Sequence, residues 1–436
     1  MDISENEFRD QLFNSHKQNL CDLFIGRRDP VEWLGEGFPP ISVLLQQMAE
    51  RRINQALDEL SDLVLIAKEL RLERANDSTT RIDLFGCSGG TGLTIIELKK
   101  SKQTERQAFT ELLGYANHFC QIFPGLTEDS ITSILVSPMQ TRIVRDAYTQ
   151  ELIANNKNIV ALIPSSKNGV IQLKVFYPDE AYYKWFENNL LDDRSMMAVA
   201  ISFPEIKGWI DTDFEQENNA VPEYSQKALN TITSAIALKL EANGFHSLVY
   251  ASQKWGEIAN NWPYPNHIYA VAINPFASFR TSVYEDRVLG ESSDGRLEDL
   301  QRIHSQVLIE EQDSWLDLIE THFSNRFSAL VLDEFDLCFK NKKQEVMSKE
   351  IGYPDWGAIK RSVLDSVYVH HFNIYPTGLL REIYGHYVDY IYQPHIKFCA
   401  HYSDDFPKYS YDMLRDFLAV WEIIKILGFS NSEGDE

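Results

Sequence analysis

The chain has 436 residues, 44% of them apolar, enough to bury a core in each of two or three domains. Its net charge of −23 excludes a surface that holds polyanions everywhere, so any contact with phosphates has to come from a local strip of lysine and arginine. No stretch reaches the roughly 18 uncharged apolar residues of a membrane helix. The acidic start MDISENEFRD lacks the layout of a secretory leader, and five scattered cysteines without CxxC spacing fit reduced thiols. The expectation is a soluble cytoplasmic protein with no membrane partner.

Residues 1–40 read as an amphipathic helical arm (Phe8, Leu12, Phe13), broken at GRRDP and again at GFPP. Val43, Leu44, Met48, Ile53 and Leu57 have helical spacing and predict a helix over 41–60. A strand over 63–72 and the turn-rich NDSTT precede a hairpin with arms at 80–85 and 93–99, its loop being CSGGTG. A helix is expected over 104–119, a strand over 131–136, a helix over 143–154, and strands over 159–162 and 171–176. This αβββαβαββ order predicts an α/β domain over 41–178, a mixed sheet flanked by helices.

Beyond Tyr177-Pro178 the pattern predicts a helix over 180–191, a strand over 197–202, the acidic linker DTDFEQENN and a helix over 225–241. Strands follow near 247–251 and 267–273, then a polar loop near 290–295. Helices over 297–323, 356–367, 379–392 and 411–426 complete a second, mainly helical α+β domain over 179–430, with a solvated tail at 431–436.

The segment RIDLFGCSGGTGLTIIELKK (81–100) carries the chemistry. Side chains alternate along a strand, so Ile95, Glu97 and Lys99 point one way. If Phe85 lies opposite Leu93, Asp83 sits opposite Ile95 with Glu97 as its diagonal neighbour. Two such carboxylates can share a Mg²⁺ ion, and a lysine beside them can orient a water attacking phosphorus and stabilise the charge that develops. The bland alternative is a solvated strand face with an ordinary Glu97–Lys99 surface pair.

These residues resemble the PD-(D/E)xK phosphodiesterase superfamily, in particular its RecB-like and NucS-like endonuclease branches. LVLIAKELRL looks like the first family strand, RIDLFG like the strand bearing the metal-binding acid, and TIIELKK like the strand bearing the second acid and the lysine. ELLGYA stands where a helix with a Q-x-x-x-Y-A pattern is usual, and the likeness fades near Phe176, covering about a third of the chain. It implies a restriction-endonuclease-like fold, with Asp83, Glu97 and Lys99 as the catalytic core and Mg²⁺ or Mn²⁺ as cofactor. Gln107 or Tyr115 would orient the site, and Glu50 (alternatively Glu59) would add a metal ligand from the first helix. One departure stands out: Glu111 occupies the usual glutamine position.

Lys100, Lys102 and Arg106 cluster at the exit of the strand and could hold phosphates; a lysine-rich soluble turn is the other reading. SALVLDEFD (328–336) looks like a strand with paired acids, but no GxxxxGK[ST] loop accompanies it. His395, Cys399 and His401, with His386 upstream, do not match a common zinc spacing, and His370-His371 reads as structural. Trp255, Trp262, Tyr264 and Tyr269 read as packing of the second domain rather than a base-stacking platform. The expectation is a metal-dependent endonuclease acting on nucleic acid, DNA first, of a kind suited to restriction or phage defence. The larger half would select targets, sense a signal or form a homo-oligomer. The alternative is a nuclease fold without turnover that binds nucleic acid or a partner.

Overall fold

The computed structural model describes residues 4–35, 38–72, 81–89, 92–101, 105–167, 170–190, 195–204, 223–253, 264, 266–276, 296–340, 349–355, 358–359, 362–363, 366–367, 370 and 372–391. The expected linker DTDFEQENN, the polar loop near 290–295, the helix over 411–426, the group His395, Cys399 and His401, and Trp255, Trp262, His371 and Lys102 lie outside these. The chain divides into two compact units: Met1–Leu34 with Ser42–Glu180, and Gly35–Ile41 with Ala181–Glu436.

In the first unit, α1 (Glu5–Ser15) begins with a reciprocal cap. Ser4 Oγ accepts from the Glu7 backbone N–H at 3.2 Å, and the Glu7 carboxylate accepts from the Ser4 backbone N–H at 2.8 Å. Phe8 and Leu12 bury the inner face. After a short 3₁₀ turn, β1 (Phe24–Ile25) pairs in parallel with β7 (Val170–Val175). The amino-terminal segment is therefore part of the unit rather than a separate arm.

From there α2 (Ile41–Glu59), β2 (Val64–Arg71), β3 (Arg81–Ser88), β4 (Gly92–Leu98), α3 (Glu105–Ile122), β5 (Ile131–Val136), α4 (Arg142–Ile153), β6 (Ile159–Lys167) and β7 follow the expected αβββαβαββ order. The seven strands form one mixed sheet in the order β1-β7-β6-β5-β4-β3-β2. The β4–β5 and β5–β6 pairs are parallel, with α3 and α4 as their crossovers, while β2–β3–β4 is an antiparallel meander. β4 and β5 have neighbours on both sides and are apolar on both faces (Ile95, Ile96, Leu98, Ile134, Leu135, Val136 all buried).

Two details set the hairpin. Its arms are longer than the glycine-rich loop suggested, because Cys87 and Ser88 stay in the ladder, where they pair with Leu93 and Gly92. Gly86 permits β2 to come close: a Cβ there would lie 2.8 Å from Leu63 Cδ1 and 2.9 Å from the Val64 carbonyl oxygen.

The second unit holds β8 (Met196–Phe203), α6 (Glu223–Ala242), β9 (Ser247–Gln253), β10 (Asn266–Ile273), α7 (Arg296–Gln306), α8 (Trp315–Lys340), β11 (Glu350–Gly352), β12 (Ile374–Pro376) and α9 (Gly378–Ile391), after α5 (Glu180–Leu190). Its strands form a five-stranded antiparallel sheet, β11-β8-β10-β9-β12. Phe327, Val331, Phe335 and Phe339, four apart along α8, pack with Ile232, Ile236 and Leu240 of α6 onto one face. On the other face Tyr250 and Tyr269 stack beside Ile359 and Val363. SALVLDEFD is the middle of α8 rather than a strand, its apolar residues falling on the buried helical stripe. The helix expected over 297–323 is broken by a 3₁₀ turn at Ile309–Glu311.

Candidate functional site

The pairs Lys68↔Leu84 and Leu70↔Ile82 set Glu69 of β2 beside Asp83 of β3. The pair Leu84↔Ile96 sets Asp83 beside Glu97 of β4. The register differs by two residues from the sequence expectation, because Phe85 faces Ile95 and not Leu93. Asp83 consequently has Glu97 as its direct neighbour, which is closer than the expected diagonal. Three acids thus lie in one row across three adjacent strands. Asp83 Oδ2 also accepts the Leu98 backbone N–H at 2.9 Å, which ties the row to the end of β4.

α3 covers this face. Glu111, Tyr115 and Phe119, spaced by four, look onto the sheet: Phe119 stacks on Phe85 (centroids 5.1 Å apart, 7° between planes), and Tyr115 Oη donates to the Arg81 carbonyl at 2.7 Å. Glu111 comes to Lys99, whose ammonium lies 2.5 Å from Glu97 Oε1 and 2.5 Å from Glu111 Oε2. Glu111 is therefore a second counter-ion for the lysine.

On the other flank α1 contributes Arg9. Its guanidinium is buried, 2.9 Å from Glu69 Oε1 and 3.5 Å from Asp83 Oδ1. Arg81 reaches the same Glu69 oxygen at 3.1 Å. Glu69 itself has φ of 48°, a left-handed conformation that is uncommon away from glycine and is found disproportionately at functional sites. Glu5, one turn before Arg9 on α1, accepts the Lys100 backbone N–H at 3.1 Å.

The charges are strongly coupled. Burial, then the nearby Asp83 and a carboxyl–carboxylate hydrogen bond to Glu111, push the Glu97 carboxyl up to about 9. Burial likewise raises Asp83, against the opposing pull of the Leu98 N–H, Lys99 and Arg9. Burial works against the Lys99 ammonium, but Glu97 and Glu111 overcome it and hold the group above the ordinary lysine range. Lys99 is thus a permanent cation at neutral pH, fitted to stabilise negative charge rather than to accept a proton. Tyr115 is raised by burial and then by Glu97, Glu111 and Asp83, so its phenol stays protonated as a donor.

Among the described residues no group of three or more histidine, cysteine, aspartate or glutamate side chains is set to hold a metal ion. The Asp83–Glu97 pair nonetheless suits a hard divalent cation, since Mg²⁺ commonly takes one or two carboxylates and completes its shell with water and phosphate oxygens. Glu97 Oε2 is buried without an N–H donor among the described residues, so a cation there would replace the proton that burial and Asp83 hold on this carboxyl.

The other expected residues fall as follows. Glu50 is not brought to the row: it is buried, pairs with Arg28, and accepts from the Val31 N–H at 2.7 Å and from Gln46 Nε2 at 2.9 Å. It anchors residues 28–31, with Arg28 lying over the Tyr177 ring at 4.3 Å. Glu59, the alternative, accepts from Gln55 within α2. Gln107 is exposed on α3, and among the described residues no hydrogen bond ties it to the row. Lys100 is exposed beside Lys99, and the side chain of Arg106 lies outside the described ones. Glu69, Arg9 and Glu5 complete the cluster, and sequence reasoning gave none of them a part in it.

No protein-family model matches the chain, nor does any curated protein or any solved structure.

Proposed function

We propose that the first unit is a Mg²⁺- or Mn²⁺-dependent phosphodiesterase of the PD-(D/E)xK type that cuts nucleic acid, DNA first, with Asp83, Glu97 and Lys99 as its catalytic core. The observation that carries this reading is the buried Asp83–Glu97 pair with Lys99 bound at its edge. It occurs on an αβββαβ element order in a mixed sheet, which supports the reading. Asp83 and Glu97 would hold the cation, which supplies Lewis-acid polarisation of the phosphate and a more acidic water. Lys99 stabilises charge on the phosphate oxygens. Glu111 positions Lys99, and Tyr115 fixes α3 against β3 so that Glu111 faces the lysine. Arg9 neutralises the Glu69–Asp83 side of the row.

The test is incubation with single- and double-stranded DNA and RNA across divalent metals. Glu97→Ala and Lys99→Ala should each lower cleavage by about a hundredfold or more while nucleic-acid binding persists. Cleavage at the wild-type rate by both variants would refute the assignment.

A second reading is a binding module without turnover. It is favoured by Arg9 and Lys99, which already neutralise much of the row. Calorimetric titration separates the two, since a pure binding module takes up no Mg²⁺ or Mn²⁺ at millimolar concentration.

A further inference from the structure

A cavity of about 260 Å³ opens beside Lys99 within the first unit. It is lined by Ser4, Glu5 and Phe8 at the start of α1, by the end of β4 with Lys99 and Lys100, and by Pro138, Gln140, Ile163 and Pro164. The volume falls just under the roughly 300 Å³ at which pockets for drug-sized ligands begin, so it suits one small flat molecule and excludes a double helix. Phe8, Leu98, Ile163 and Pro164 give it apolar sides, of the sort that accept the face of an aromatic ring.

Besides the Ser4 hydroxyl, which caps α1, its polar groups are of three kinds. Gln140 offers an amide, able both to donate and to accept along a heterocycle edge. Glu5 offers a carboxylate that accepts from an exocyclic amine, and it is held in place by the Lys100 backbone N–H at 3.1 Å. Lys99 and Lys100 bring two cations to the lining, Lys100 exposed and Lys99 with its ammonium held between Glu97 and Glu111. An apolar slot with an acid in its wall, an amide at its exposed rim and two lysines in its lining matches a nucleoside phosphate: base against the apolar sides, phosphate toward the lysines.

We infer that this cavity is a nucleotide subsite, which takes one unstacked nucleoside of the chain next to the phosphate that the Asp83–Glu97 row acts on. The assignment of that phosphate rests on the phosphodiesterase reading. A base inside a stacked duplex cannot enter such a slot, so the substrate is single-stranded nucleic acid or a duplex with an extruded nucleotide.

The test uses full-length protein in chelator, where no cleavage occurs, with the four deoxynucleoside monophosphates and inorganic phosphate as calorimetric probes. At least one nucleotide should bind about tenfold more tightly than inorganic phosphate, the size of one well-made hydrogen bond or a modest apolar contact. Ile163→Trp, which fills the slot, should weaken that binding by about tenfold or more, and Gln140→Ala should change the ranking of the four bases. If Ile163→Trp loses its melting transition, Gln140→Trp at the exposed rim gives the same reading. Nucleotides that bind no more tightly than phosphate, or a folded slot-filling variant that binds like wild type, overturn the subsite.

Cleavage by wild type without any nucleotide binding removes the subsite and leaves the phosphodiesterase standing. Nucleotide binding without cleavage under any metal removes the phosphodiesterase and keeps the slot as a nucleotide site. Where cleavage occurs, a single strand should be cut at least about tenfold faster than the same sequence in a duplex, and equal rates overturn the claim about substrate.

Discussion

The β3–β4 hairpin of the first unit and the β9–β10 pair of the second are both antiparallel ribbons buried along most of their length. They fill the inside differently. In β9–β10 the inside is aromatic: Tyr250 and Tyr269 stack at 5.3 Å, and Tyr250 Oη shares a hydrogen bond with Ser362 Oγ at 2.7 Å. In β3–β4 the interior holds Asp83 and Glu97, ionisable groups that lean on Arg9 and Lys99 as counter-charges. Both ribbons are largely buried, so burial does not mark a site. The mark is the gathering of ionisable groups inside, with titrations shifted by one another.

That contrast can be broken in several ways. The largest effect belongs to the purely apolar side. Phe335→Ala, which empties the α8 contact over the second sheet, should cost about 3–5 kcal/mol of unfolding free energy in denaturant titration. A loss under about 1 kcal/mol would mean that this core is loosely packed.

Next comes pH, which should act on the two ribbons in opposite senses. Glu97 is raised to about 9 in the folded chain, so its uncharged form favours the fold. That contribution is complete below the ordinary carboxylate range and is lost as pH climbs through about 9. His246, just before β9, is lowered by burial against the opposing pull of Glu241, so its neutral form favours the fold. Its contribution is present above the ordinary histidine value and is lost as pH falls through the lowered one. Hydrogen exchange corrected for intrinsic rates should show protection of 81–98 fading in base and protection of 247–253 fading in acid. Glu97→Gln should abolish the first trend, and His246→Gln the second.

Cation binding should sharpen the same point. At pH 7 the Glu97 carboxyl, raised to about 9, holds a proton that Mg²⁺ or Mn²⁺ must displace, so binding should release about one proton and tighten by about tenfold per pH unit. Calorimetry in buffers of different ionisation heats measures this, and zero release would place the cation away from Glu97. The smallest effect is Tyr250→Phe, which removes one answered hydroxyl and should cost about 1 kcal/mol in a denaturant melt.

The hairpin was legible because alternation alone puts Glu97 and Lys99 on one side, and the fold order followed from the spacing of apolar residues. The register was not, because CSGGTG admits several closures and only the chain's pairing keeps Cys87 and Ser88 in the ladder. Glu50 was misplaced for a non-local reason: Arg28 and the Val31 N–H, 22 and 19 residues earlier, claim its oxygens. Arg9 and Glu69 arrive by docking of α1 and by the β2–β3 pairing, neither of which leaves a periodic trace. For Glu69 a signal did exist, since KELR interrupts an otherwise apolar strand. β11 and β12, three residues each, are too short for any period to show, and so the second unit read as more helical than it is.

One consequence follows from where α1 sits. Arg9 lends its positive charge to the acids, and Phe8, from the same turn, walls the neighbouring slot. Clipping the protein after Ser15 would therefore strip a counter-charge and unroof the cavity in one stroke. A protease nick, or a bulky tag fused ahead of Ser4, would report on the chemistry from a distance along the chain that makes the amino terminus look irrelevant.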